Sequence, residues 1–288
     1  MRPEAHVLLT RYNLPSAGAE AFIRARDDWL RHRTALFDRF TVPSVRAQTA
    51  PNVHWIVYLD PDSPRWLLHH MERLRLEGTL TPVLRRTVSS ADVGSDIRDA
   101  TGLKRGLVVT SNLDNDDGLA NTFSERIQDA AAGATERTAL YLATGLIRHD
   151  NRLFLRHDRQ NAFCGVVEEL ENAATCWTDW HNRLHRHMRV LRVNGPPAWL
   201  QVVHGNNVSN RVRGRRVSPR PYEHSFPPKA LADIESPGIH SVASDLLLGL
   251  PYRATRDFAR SSIRSVAVRV AGKEGLDALK TRIGRLRV

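Results

Sequence analysis

Four short apolar runs, at residues 6–12, 53–59, 80–84 and 107–110, punctuate the first half of the chain, and the stretches between them carry helical spacing. This alternation constrains the fold more than any single residue does. Strands joined through helices lie parallel in one sheet, so the pattern predicts an α/β fold with a mostly parallel sheet flanked by helices. Val53-His54-Trp55-Ile56-Val57-Tyr58-Leu59 is the clearest run. Its β-branched and aromatic residues suit a buried strand, and Asp60-Pro61-Asp62-Ser63-Pro64 is turn chemistry that ends it. The first run is broken by Asn13-Leu14-Pro15-Ser16. A helix is expected over residues 19–40, where Phe22, Trp29, Leu36 and Phe37 recur at roughly helical intervals. Further helical stretches are expected over 45–49, 66–76, 95–101 and 123–132. In sheets of this kind ligands bind beyond the carboxyl ends of the strands.

The second half changes character. Residues 140–147, 153–155, 163–167 and 199–204 read as shorter strands, and 174–190, rich in His and Arg, as a helix. Gly205-Asn206-Asn207 is a polar exit, followed by an Arg/Pro-rich loop and helices to the end. His181 and His185 share a helix face, but no glutamate follows as in HExxH and Arg183 and Arg186 intervene, so a basic face is expected there and not a zinc site. Cys164 and Cys176 lack metal spacing and read as inert thiols in a reducing compartment.

Asp114-Asn115-Asp116-Asp117 follows the fourth run directly. Aspartates this close repel one another unless a cation neutralises them or water solvates them fully. Mg and Mn are typically held by one or two carboxylates together with substrate phosphates. Asp114 and Asp116 project to one side of an extended chain, so both face one ligand. A solvated acidic turn is the alternative. A calcium loop is disfavoured, because Leu119 stands where that loop needs glycine and a strand precedes the segment.

Ser111-Asn112-Leu113-Asp114-Asn115-Asp116-Asp117-Gly118-Leu119 resembles the aspartate motif (DxD type) of GT-A fold glycosyltransferases and, more narrowly, that of the bacterial putative rhamnosyltransferase family. Other segments share the resemblance: Thr10-Arg11-Tyr12-Asn13-Leu14, Pro43-Ser44-Val45 with Gln48, the strand ending at Asp60, Asn161-Ala162-Phe163 with Glu168, and Trp199-Leu200-Gln201-Val202-Val203-His204-Gly205-Asn206. Together they span residues 7–210. Asn112 stands where the family tends to place Arg. The resemblance implies a GT-A-like domain, placed over 1–228; the chain's length and the basic, helical reading of the remainder add a C-terminal extension over 229–288, packed on or beside it. It implies that Thr10, Arg11, Asp60, Asp114 and Asn115 bind a nucleotide-diphosphate sugar. It further implies that Asp114, Asp116 and His204 hold a divalent metal, Mn or Mg. Arg98, in the helix before the fourth strand, is expected to reach the nucleotide or its phosphates. Inverting transfer needs a carboxylate to deprotonate the acceptor, with Glu168 the first candidate and Glu169 the second. The expected function is transfer of a sugar, rhamnose by the family's name, to a glycan or lipid-linked acceptor.

The net charge of +11 calls for an anionic partner. Residues 251–288 alone hold ten Lys/Arg against three Asp/Glu. Ile263, Val266, Val270, Leu276, Leu279, Ile283 and Leu286 lie among those charges, a pattern suited equally to peripheral contact with anionic membrane and to helices packed on the domain with a solvated basic face. The rival function is therefore a non-catalytic basic protein that binds membrane or nucleic acid. Aromatics, at 7%, are not interleaved with the basic stretches, so nucleic acid is not expected. The first apolar run is too short for a signal-peptide core and no window reaches the length of a membrane span, so the expected location is cytoplasmic, either soluble or at most attached at the inner membrane face.

Overall fold

The computed structural model describes residues 2–15, 27–204, 211–253 and 255. The start of the expected helix over 19–40, the exit Gly205-Asn206-Asn207 and the apolar positions from Ile263 onward lie outside the described residues.

Strand β1 (Ala5–Arg11) precedes helix α1 (Asp27–Leu36), which continues through a π-helical turn (Phe37–Thr41) into α2 (Val42–Arg46). Then follow β2 (Val53–Leu59), α3 (Arg65–Leu76), β3 (Thr81–Leu84), α4 (Ser90–Thr101) and β4 (Leu107–Asn112). Helix α4 begins earlier than its spacing predicts. Ser89 and Asp92 form a reciprocal capping box there, and Gly102, at φ 74°, ends the helix. The acidic segment leads into the two-residue strand β5 (Gly118–Leu119), and α5 (Phe123–Ala131) follows. The rest is mainly strand: β6 (Thr138–Leu142), β7 (Thr144–His149), β8 (Arg152–His157), β9 (Gly165–Glu169), β10 (Arg189–Val193), β11 (Trp199–Val203) and β12 (Arg215–Val217).

Seven strands form the main sheet in the order β10-β6-β9-β4-β1-β2-β3. The run β4-β1-β2-β3 is wholly parallel, β9 is antiparallel to both β4 and β6, and β10 is parallel to β6. This is the mixed, mostly parallel sheet of the GT-A-like expectation. Alternate residues face opposite sides: Leu8, Val57 and Val109 enter one apolar cluster, while Val7, Leu9, Ile56, Tyr58 and Val108 enter another. Both faces are therefore buried, as a parallel sheet requires.

A second sheet, ordered β12-β8-β7-β11-β5, was not legible as a separate unit. The single strand expected over 140–147 is two strands in two sheets. The chain crosses over at Ala143, where the carbonyl of Leu142 accepts from the Trp199 indole N–H (2.9 Å) and the Asn161 amide (3.0 Å). Ala143 donates to the Val193 carbonyl at 2.9 Å. Side chains and loop backbone thus satisfy a break that would otherwise leave buried polar groups orphaned.

The helix expected over 174–190 is also corrected. Thr175, at φ 67°, cannot continue a right-handed helix. The segment is a loop, then a 3₁₀ turn (His181–Arg186), then the start of β10. Beyond β12, Phe226, Ala230, Leu231 and Ile234 pack with Leu146, Leu153 and Leu200 of the second sheet, on either side of the start of α6 (Pro228–Leu231). Helix α7 (Ile239–Ser244) then runs into a further π-helical turn (Asp245–Gly249).

Candidate active site

Strands β1 and β4 are parallel neighbours, so their C-terminal ends open on the same edge of the main sheet. Leu113 is anchored at that edge: its N–H donates to the Leu9 carbonyl at 3.0 Å, and its carbonyl accepts from Thr10 Oγ1 at 2.7 Å. At the far end of the segment, Asp117 Oδ1 accepts from the backbone N–H of Val202 at 2.8 Å, and β5 pairs with Trp199 and Leu200. The acidic segment is thereby strung between the two sheets. The same anchoring brings the end of β11, and with it His204, beside Asp116.

Asp116 is buried, 3% exposed. His204 Nε2 donates to its Oδ2 at 3.0 Å, and Arg33 of α1 forms an ion pair with the same oxygen. Arg33 also donates to Asn115 Oδ1 at 3.2 Å, while the Asn115 amide donates to the Tyr12 carbonyl at 2.8 Å. Asp117 is fully buried and its Oδ2 has no hydrogen-bond partner. Desolvation, then Asp116 and Asp114, push its carboxyl well above the usual aspartate range. Asp114 alone of the three faces solvent. Desolvation by the surrounding chain, followed by the Asp116 charge, raises its carboxyl too. A wall stands beside it. The Arg11 guanidinium lies 4.1 Å from the centre of the Trp177 ring, whose indole N–H donates to Asn112 Oδ1 at 2.8 Å. The Asn112 amide in turn donates to the Ala162 carbonyl at 3.1 Å.

The expected site residues separate into two groups. Arg11, Asp114, Asn115, Asp116 and His204 come together, and Asp60 lies on the same sheet edge at the end of β2, where its Oδ1 accepts from Asp62 N–H in its own turn. Thr10 is a correction: it is fully buried, also accepts from the Trp55 indole at 2.9 Å, and positions the loop without facing the crevice. Arg98, Glu168 and Glu169 are corrections of a different kind. Helix α4 delivers the chain to the start of β4, so Arg98 sits at the opposite edge, directed at the Leu170 carbonyl. Strand β9 runs antiparallel to β4 and pairs Glu168 with Val108 and Glu169 with Leu107. From Val108 to Asn112 the strand alone rises about 13 Å. Glu168 is 3% exposed and accepts from the backbone N–H groups of Ala174 and Thr175 and from Arg137. It is a buried anchor for the loop after β9, and Glu169 is exposed beside it.

Arg33 and Trp177 were missed. Arg33 had a signal, since it lies four residues before Phe37 on a helix whose Leu30, Thr34 and Phe37 are buried. Trp177 had none, because only the fold of the 173–180 loop brings it to Asn112.

Among the described residues no three His, Cys, Asp or Glu side chains are grouped to hold a metal ion. A pair does fit one. Asp116 Oδ2 and His204 Nε2 stand 3.0 Å apart, and neighbouring ligands of an octahedral ion with bonds of about 2.1 Å are separated by roughly 3 Å. Such ions draw their remaining ligands from water and substrate phosphates.

The model of the family described as putative rhamnosyl transferase matches residues 5–216, from β1 to β12. The chain belongs to this family. Membership places it among the glycosyltransferases, and the match takes in Arg33, the acidic segment and His204. Among solved structures, it is similar to S. aureus TarS at 12% identity and a TM-score of 0.42, covering 70% of this chain and 37% of that one. It is similar to S. aureus TarS 1–349 in complex with UDP at 13% and 0.42, covering 70% and 61%. It is also similar to a putative nucleotide-diphospho-sugar transferase from Desulfovibrio desulfuricans G20 at 9% and 0.37, covering 80% and 94%. These likenesses are remote, and the assignment rests on the family match. No curated protein matches the chain.

Proposed function

We propose that this glycosyltransferase moves a sugar, rhamnose in the first instance, from a nucleotide-diphosphate donor to a glycan or lipid-linked acceptor, with Mn or Mg at Asp116 and His204 and Asp114 beside them. One observation carries the reading: the buried Asp116 carboxylate, on a segment anchored at both ends, and the His204 imidazole at the end of β11 stand at an octahedral-edge spacing. A divalent cation bound there supplies charge neutralisation for the departing diphosphate. The chain's own residues do the rest. Arg11, on its Trp177 platform, offers a fixed cation on the open side of Asp114. Asn115 holds the segment against β1 and Arg33. Asp60 closes the nucleotide side of the same edge at the end of β2.

The acceptor side has its own support. Ile239, Leu246, Leu247, Leu248 and Tyr252, all on the segment from α7 onward, are exposed apolar side chains, with Leu247 75% exposed and Ile239 87%. That segment is docked on β12 through Asp245, which accepts from the Arg216 backbone and from Arg253. Residues 211–288 hold sixteen Lys/Arg against seven Asp/Glu. A second copy of the chain would set like charge against like charge on this face. An anionic lipid surface satisfies both the leucines and the basic excess, and it is where a lipid-linked acceptor resides.

The donor site is tested by titrating UDP, dTDP and GDP into the protein by calorimetry, with and without Mn. Binding by at least one nucleotide is expected to need Mn and to fall at least tenfold in Asp116→Ala, with a smaller loss in Asp114→Ala. Unchanged affinity in both variants would refute the site.

A further inference from the structure

Arg33 is the cation that the donor-site reading leaves without a task. It is brought by α1, outside the acidic motif, and its side chain is only 13% exposed. Its ion pair with Asp116 Oδ2 uses the same oxygen that His204 addresses, which is also the oxygen placed to bind a divalent cation. The two uses conflict. A divalent ion on that oxygen brings two positive charges against a guanidinium already in contact, at short range and away from bulk water, where repulsion is strong. Removing Arg33 from the site altogether would strand a half-buried charge, which is also costly. The geometry offers a third course. Arg33 Nε is buried with no hydrogen-bond partner, so the fork has unspent donor capacity. Trp29 lies under the guanidinium at 5.1 Å, and Asn115 Oδ1 accepts from the same Nη1 at 3.2 Å, so the group keeps supports when it leaves Asp116. A guanidinium matches phosphate oxygens in two-point geometry.

Resting on the donor-site reading above, we propose that Arg33 is a further diphosphate-binding residue. It neutralises Asp116 before the donor binds and exchanges that carboxylate for the donor's phosphates when a divalent cation takes its place. Metal and arginine therefore compete for Asp116 in the absence of nucleotide and cooperate in its presence.

This reciprocity gives opposite signs for two measurements on one variant. In the full chain, Arg33→Met is expected to bind Mn alone at least threefold more tightly than wild type, read by electron paramagnetic resonance of free Mn. At saturating Mn it is expected to bind UDP, dTDP or GDP, whichever wild type prefers, at least tenfold more weakly. Arg33→Lys keeps the charge and loses the fork. It is expected to hold Mn alone within twofold of wild type while losing at least threefold in nucleotide affinity, and it serves if the methionine variant does not fold. A merely structural arginine would weaken both bindings together, and that result overturns the proposal. So does unchanged nucleotide affinity in either variant. Failure of wild type to bind any of the three nucleotides with Mn overturns the donor-site reading itself, and this proposal with it.

Discussion

The Glu168 carboxylate accepts the N–H groups of Ala174 and Thr175, each at 2.8 Å, and the Arg137 guanidinium at 2.7 Å. Burial pushes its carboxyl upward, and those same partners pull it back. In Glu168→Gln one acceptor oxygen becomes an amide NH₂, so a backbone N–H loses its partner. The expected cost is about 1–3 kcal/mol, read as a lower urea midpoint, with turnover otherwise retained because the residue lies at the far sheet edge. Turnover falling a hundredfold at unchanged stability would instead return Glu168 to the chemistry. Its acidic neighbour in sequence, Glu169, offered the same sequence signal, and nothing local distinguished a base from an anchor. Strand direction did: an antiparallel β9 reverses the end at which its last residues emerge.

At the scale of elements, β11 decides whether the site exists. Its Trp199 ring stacks on Phe163 at 5.0 Å with planes 9° apart and lies directly over Gly145 of β7. A Cβ at Gly145 would fall 2.0 Å from Trp199 Cδ2, so no side chain fits there without moving the ring. Gly145→Ala is expected to destabilise the protein by about 1–3 kcal/mol through overpacking. It is further expected to weaken Mn-dependent nucleotide binding, because shifting β11 draws His204 from Asp116. Chemical denaturation and calorimetry on the same sample check both; a destabilised variant with wild-type nucleotide affinity would detach β11 packing from the site. The Trp-to-His segment was legible as one strand with a polar exit. That it pairs with β7 and β5, and not with the main sheet, was not.

Over the whole molecule the charge is divided unequally. Of the +11 total, residues 211–288 contribute sixteen Lys/Arg and seven Asp/Glu, leaving the rest of the chain almost balanced. No helix of the described residues is long and apolar enough to cross a membrane. Co-sedimentation with phosphatidylglycerol vesicles is expected to exceed that with phosphatidylcholine and to weaken with salt. Replacing Leu246, Leu247 and Leu248 together by Ser is expected to lower it at least fivefold while leaving donor hydrolysis unchanged. Equal binding to neutral vesicles, or a triple variant that binds as wild type does, would remove the lipid surface from the account.

What the sequence determined alone is what depends on short range. β2 runs over the residues its β-branched and aromatic composition marks, β1 and β4 lie within two residues of theirs, and turn and capping residues bound the helices between them. The acidic segment announces itself because like charges this close repel unless a cation, a protein partner or water offsets them, whatever the fold. Tertiary structure decided which charges meet. Asp116 faces Arg33 across 82 intervening residues and His204 across 87, and neither partner can be read from spacing. Glu168 and Arg98 stand apart from the segment for the same reason, since the edge at which a side chain emerges is set by how strands order and reverse within the sheet, a long-range property of the packed core.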